Sequence, residues 1–193
     1  MTAQEYLSIW TSTGDQVSPN SRQKLTIFKF QPFTIDYLEV GLPKDAAPYL
    51  SFAGECDDVY ARVTKLEDLY ALCPERDKYI VIGSDESGNP IAINIQKNDL
   101  IEWLDHEDCF APGYCNRSVE CLLQFLIFYR DFINDIIECN GPEAYMDANF
   151  TDKQYDVMKN RMYMVDPDAF KKDRFWKGVL EELLVNRDYY QNQ

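Results

Sequence analysis

Tyr79-Ile80-Val81-Ile82-Gly83 is a β-rich apolar run, Ser84-Asp85-Glu86-Ser87-Gly88-Asn89-Pro90 is turn chemistry, and Ile91-Ala92-Ile93-Asn94-Ile95 alternates with period two. The three together spell a hairpin. Gly88 supplies the left-handed backbone such a turn needs, and Pro90 suits the first residue of a strand rather than its middle. After the Lys97-Asn98-Asp99 turn, Leu100-Ile101-Glu102-Trp103-Leu104 returns as a further short strand. An acidic loop follows, and then the period changes. Val119, Leu122, Leu123, Leu126, Tyr129, Ile133, Ile136 and Ile137 recur at spacings of three and four, which makes one face of a long helix apolar. Ser118 or Asn116 can cap its start, and Asn140-Gly141-Pro142 stops it. At ~1.5 Å per residue such a helix is roughly 30 Å long, enough to cross several strands. A sheet with this helix laid over it is therefore the expected core.

The 193 residues suit one domain spanning 1–193, with no repeats and no Gly/Ser linker to divide it. An apolar fraction of 46% with 14% aromatics excludes global disorder. Met1 to Trp10 lacks the basic start of a signal peptide, and Arg130, Asp131 and Asp135 interrupt the longest apolar segment. A cytoplasmic protein is expected. The net charge of −14 repels nucleic acid and anionic membranes and attracts basic partners, although plain solubility also accounts for it. Six cysteines without a CxxC pair read as reduced thiols.

Around the central unit, Thr2 caps a short helix to Trp10, with Tyr6, Leu7, Ile9 and Trp10 available for burial. Thr11 to Gln23 is a loop, and Leu25 to Phe30 reads as extended, closed by Pro32. Thr34 caps a helix through Val40 that Gly41 and Pro43 end. Tyr49-Leu50-Ser51-Phe52 is a first or edge strand, Gly54 to Asp58 an acidic turn, and Val59 to Leu72 a strand followed by a helical turn or two. Pro142 to Asn149 connects to the capping box Thr151-Asp152-Lys153-Gln154, which starts a helix through about Met162. Asp166-Pro167 opens the last helix, whose stripe is Trp176, Val179, Leu180, Leu183 and Leu184.

Chemistry is sparse. Gly83 to Gly88 has the GxxxxG spacing of a phosphate loop, but Asn89-Pro90 replaces the lysine, and Asp85 and Glu86 would repel a phosphate. Asp105-His106-Glu107-Asp108 holds the only histidine. It could serve a general base or, with Cys109 and Cys115, a zinc site, yet no HExxH, finger or nucleophile spacing accompanies it. A solvated acidic loop, available to a basic partner, is the simpler reading. Trp103 is core by its alternation with Ile101, or an interface anchor. No cofactor is expected. A metal-dependent enzyme centred on Asp105 to Cys115 stands as a further alternative.

Several pieces, in order along nearly the whole chain, resemble the SUKH superfamily (Smi/Knr-like domains), most closely its SUKH-4 immunity branch. They are Gly41-Leu42-Pro43, Tyr49 to Phe52, Tyr79 to Asp85, Ser87 to Ile91, Cys115-Asn116-Arg117-Ser118 leading into a leucine-rich helix with Phe125, and Phe175-Trp176 with Leu180 to Leu183. The resemblance implies an α+β domain, a mainly antiparallel, twisted sheet flanked by helices. It also implies a non-enzymatic immunity protein of a bacterial polymorphic toxin system, one that neutralises a cognate toxin, often a nuclease or deaminase. An acidic protein suits a basic nuclease cleft. Expected contacts are Asp85, Glu86, Asp105, Glu107 and Asp108, with Trp103 as apolar anchor, and neither nucleic acid nor membrane as partner. A regulatory or scaffold adaptor binding a cellular protein is the alternative.

Overall fold

The computed structural model describes residues 1–56, 58–70 and 77–191. Along the chain lie α1 (Ala3–Thr11), β1 (Val17–Ser18), α2 (Arg22–Leu25), α3 (Pro32–Val40), β2 (Leu42–Pro43), β3 (Asp45–Ala46), β4 (Leu50–Phe52), β5 (Thr64–Lys65) and α4 (Leu66–Leu69). The central unit is β6 (Tyr79–Ser84), β7 (Pro90–Asn94), β8 (Leu100–Asp105), β9 (Ala111–Asn116) and α5 (Val119–Asn140). Helices α6 (Asp152–Val165) and α7 (Phe175–Gln191) complete the chain.

The main sheet has the order β3-β4-β6-β7-β8-β9 and every pairing in it is antiparallel. β4 and β5 share one edge of β6, at Gly83–Ser84 and Ile80–Val81 respectively. The pleat sorts the apolar residues onto two faces. Ile80, Ile82, Ile91, Ile93, Ile101 and Cys115 join the large core under α5, while Tyr79, Val81, Ala92 and Leu104 join a smaller cluster with Leu66 and Phe110 on the other side. Burial on both faces is why β6 reads as a continuous apolar run. At ~1.5 Å per residue, the 22 residues of α5 span about 33 Å. Val119, Leu122, Leu123, Phe125, Leu126, Tyr129, Phe132 and Ile136 are all buried there. Each such side chain contributes about 1.5–3 kcal/mol by leaving water. Ser118 Oγ caps the helix by accepting from Cys121 N, and Gly141 ends it at φ +104°.

A buried polar network ties the helices to the last strand. Asp166, 1% exposed, accepts from the Tyr114 hydroxyl at 2.8 Å, Asn116 Nδ2 at 3.3 Å and Arg117 N at 2.9 Å. Asn116 Oδ1 in turn accepts from the Trp176 indole at 2.8 Å. Burial and the neighbouring Asp166 carboxylate push the Tyr114 hydroxyl well above the usual phenol range, and burial does the same to the Cys115 thiol. β9, the start of α5 and α7 are thus fastened at one point. At the β7–β8 turn, Asp99 accepts from Gln31 N at 2.7 Å and holds the start of α3 against it.

Several expectations need correction. Leu25 to Phe30 is not extended: α2 runs into a 3₁₀ turn at Thr26–Phe28, because Leu25 and Phe28 share a face, and Lys29 at φ +60° ends it. Pro32 opens α3 instead of closing a strand, since the first helical turn needs no N–H there, and Thr34 lies buried inside the helix. Ile9 is exposed. Val59 to Arg62 is a turn, with strand only at Thr64–Lys65, and Leu72 lies outside the described residues. α6 continues to Val165, one turn past Met162. Asp166-Pro167 opens a 3₁₀ turn, Pro167–Phe170, and the last helix begins at Phe175. β9 itself was hidden in the sequence by Pro112 and Gly113. It tolerates proline because it pairs with β8 alone.

Candidate partner-binding surface

The β6–β7 and β8–β9 turns stand at the same end of the sheet and are joined to each other. In the first, Asp85 organises the loop. Its Oδ1 accepts from Ser87 N at 3.0 Å and Asn89 N at 2.8 Å, and its Oδ2 from Asn89 Nδ2 at 2.9 Å and the Trp103 indole at 2.8 Å. Gly88, at φ +84°, makes the return possible. In the second turn Asp105 Oδ1 accepts from Glu107 N at 2.9 Å and Asp108 N at 3.3 Å. Asn89 then bridges the two: its Oδ1 accepts from His106 N at 3.1 Å and faces His106 Nδ1 at 2.6 Å. With two donors on one acceptor oxygen, the imidazole proton belongs on Nδ1.

The six residues singled out in the sequence are therefore brought together, but in two roles. Asp85 and Asp105 build the turns, and Asp85 has four donors on its two oxygens. Trp103 is half-buried across from Ile91 and Gly113, and its ring meets that of Phe175 at 6.5 Å, tilted by 35°. A Cβ on Gly113 would sit 3.3 Å from the indole, so the glycine leaves the ring its place. Glu86, Glu107 and Asp108 are the exposed tips. Among the described residues none of the five carboxylates at this end forms an ion pair, whereas Asp36, Glu39, Glu55 and Asp131 elsewhere do.

Beside this end runs a groove of about 470 Å³ between the β6–β7 turn, the Pro48–Tyr49 corner, the segment around Tyr145 and α7. Trp103, Phe175, Tyr49, Tyr145 and Tyr190 supply aromatic wall, and Asp85, Glu86 and Glu182 are its charged residues. Tyr129 and Tyr145 meet at its floor, hydroxyl to hydroxyl, at 3.2 Å. Burial pushes both phenols above their ordinary range. Tyr49, Tyr145, Phe175, Glu182 and Tyr190 were not among the contacts expected from the sequence. They come from three separate segments, the Pro48–Tyr49 corner, the stretch around Tyr145 and α7, so only their tertiary convergence marks them.

For catalysis the arrangement offers little. His106 engages Asn89 rather than a serine or cysteine nucleophile. The amides of Ser87 and Asn89, which a phosphate loop would aim at an anion, are taken by Asp85. Cys115 is fully buried against Asn116 while Cys109 is exposed, and among the described residues no three His, Cys, Asp or Glu side chains are grouped to hold a metal. No helix among the described residues is long and apolar enough to cross a membrane.

A family model described as SUKH-4 immunity protein matches residues 23–182. No curated protein and no solved structure matches the chain.

Proposed function

Since the chain belongs to the SUKH-4 immunity protein family, we propose that it neutralises a basic nuclease or deaminase toxin in the bacterial cytoplasm by presenting the acidic end of its sheet. One observation carries this reading. Glu86, Glu107 and Asp108 are exposed on two turns locked together through Asn89, and no cation of the chain among the described residues neutralises them. A nuclease cleft must attract phosphates, and the same positive field draws in a fixed array of carboxylates. Asp85, Asp105 and Trp103 hold that array in place. No step of this action requires a cofactor.

An exposed ion pair contributes up to about 1 kcal/mol, so the tips act mainly on association rate and on the choice of partner. The test is affinity for the toxin that co-purifies from cells expressing the adjacent genes. E86Q/E107Q/D108N is expected to weaken binding about tenfold at low salt, from roughly 0.5 kcal/mol per charge, and to flatten its salt dependence. Unchanged affinity and salt slope would remove this surface from the interface.

A further inference from the structure

The groove beside the acidic end has a chemical bias of its own. Every charged residue along it is acidic, and its walls are aromatic. Asp85 already receives four donors, so it contributes field but no open acceptor. Glu86 on the turn and Glu182 on α7 are exposed and form no ion pair among the described residues, although Glu181, one position earlier, is bound to Lys177. Trp103 and Phe175 lie along the same wall with their rings tilted by 35° at 6.5 Å, and Tyr49 stands 61% exposed at the rim.

We infer that this groove receives an arginine side chain of a partner polypeptide, its guanidinium lying against the Trp103–Phe175 wall and hydrogen-bonded to Glu86 and Glu182. The inference rests on the toxin-binding reading for the partner's identity, but the chemistry of the groove stands apart from it. Three features select arginine. A planar guanidinium stacks on an aromatic face while its edge N–H groups pair with carboxylates, two demands an ammonium meets less well. The volume lies within the range of sites that enclose small ligands, so a side chain with its flanking backbone fits. Acidic walls with no lysine or arginine among the lining residues leave the cation to come from outside.

The probe is Nα-acetyl-arginine amide, with Nα-acetyl-citrulline amide as its uncharged counterpart. The readout is the indole N–H resonance of Trp103, assigned with W103F. Trp10 and Trp176 are buried and serve as internal references. Arginine amide is expected to shift the Trp103 signal saturably, with a midpoint near millimolar, and to leave the other two indoles in place. Citrulline amide leaves all three unmoved. E86Q/E182Q raises the midpoint at least tenfold, whereas E138Q/D156N, which removes the same charge from exposed sites elsewhere, changes it less than twofold. A Trp103 signal that does not move, that moves equally with citrulline, or that survives E86Q/E182Q overturns the inference. Because no toxin enters this titration, its failure leaves the acidic-end reading intact. A positive titration in a protein whose tip variants bind toxin normally would instead sink that reading alone.

Discussion

Asn116→Asp tests the buried network that fastens α7 to the sheet. The substitution preserves shape and keeps an acceptor for the Trp176 indole, but it replaces the donor that now reaches Asp166 with a second carboxylate. At the present 3.3 Å separation, two carboxylates in an effective dielectric of about 20 repel by about 5 kcal/mol. Keeping one proton on the pair avoids that cost, so the folded variant holds it well above the range, about pH 3.9, in which the unfolded chain releases it. The folded state binds the extra proton above that range, so the variant's stability falls as pH rises. Relative to the parent, the deficit grows by about 1.4 kcal/mol per pH unit and reaches about 4 kcal/mol more at pH 7 than at pH 4. Urea unfolding followed by tryptophan fluorescence at pH 5, 6 and 7 measures the slope. Asn116→Ala is the control: it leaves the indole N–H unpaired at a cost of about 1–3 kcal/mol, with no added pH slope. If the Asp and Ala variants differ from the parent by amounts equally independent of pH, Asp166 does not face position 116 as described.

Gly83→Ala should break the β4–β6 junction, because an added Cβ would lie 2.4 Å from the Ser51 carbonyl oxygen and 2.8 Å from the Phe52 ring. A loss of about 1–3 kcal/mol in urea is expected, together with lost exchange protection at Ala53 N, which donates to Ile82 O; retained protection would contradict the packing. In alkali the protein should weaken, since burial pushes the Tyr37 hydroxyl up to about 12 and raises Tyr6, Tyr114 and Tyr129 as well. The unfolded chain loses these protons first, from about pH 10, so the stability they lend is intact below pH 10 and lost as pH climbs through the folded values. The urea midpoint should fall between pH 9 and 11, and less steeply in Y37F; an identical slope in Y37F would contradict it.

What the sequence disclosed is what short-range periodicity can carry. Tyr79 to Ile95 announces its hairpin because both strands are buried and the turn residues are unambiguous. Val119 to Asn140 announces its helix because one face repeats without interruption. Leu25 to Phe30 misleads because four apolar residues in six fit an extended run as well as a helical turn, and only packing chooses between them. Pro112 and Gly113 obscure β9 because propensity does not know which strand will lie at an edge. For the proposed surface, the acids and Trp103 were legible as residue types, and their division into mount and tip was not. Asp85 and Glu86 are neighbours with the same chemistry, yet one is consumed by four donors and the other faces outward. Asp85, Glu86 and Trp103 were named, but the groove they line was not legible, since Tyr49, Tyr145 and Glu182 share no local pattern with them.

The Asn89 bridge between the two turns has an evolutionary consequence. Because the scaffold of this end is built from Asp85, Asn89, Trp103, Asp105 and His106, the side chains at 86, 107 and 108 can be exchanged without dismantling it. On the proposed toxin-binding reading, a lineage confronting a changing adversary can thus rewrite three letters of its surface while the frame that displays them stays as it is.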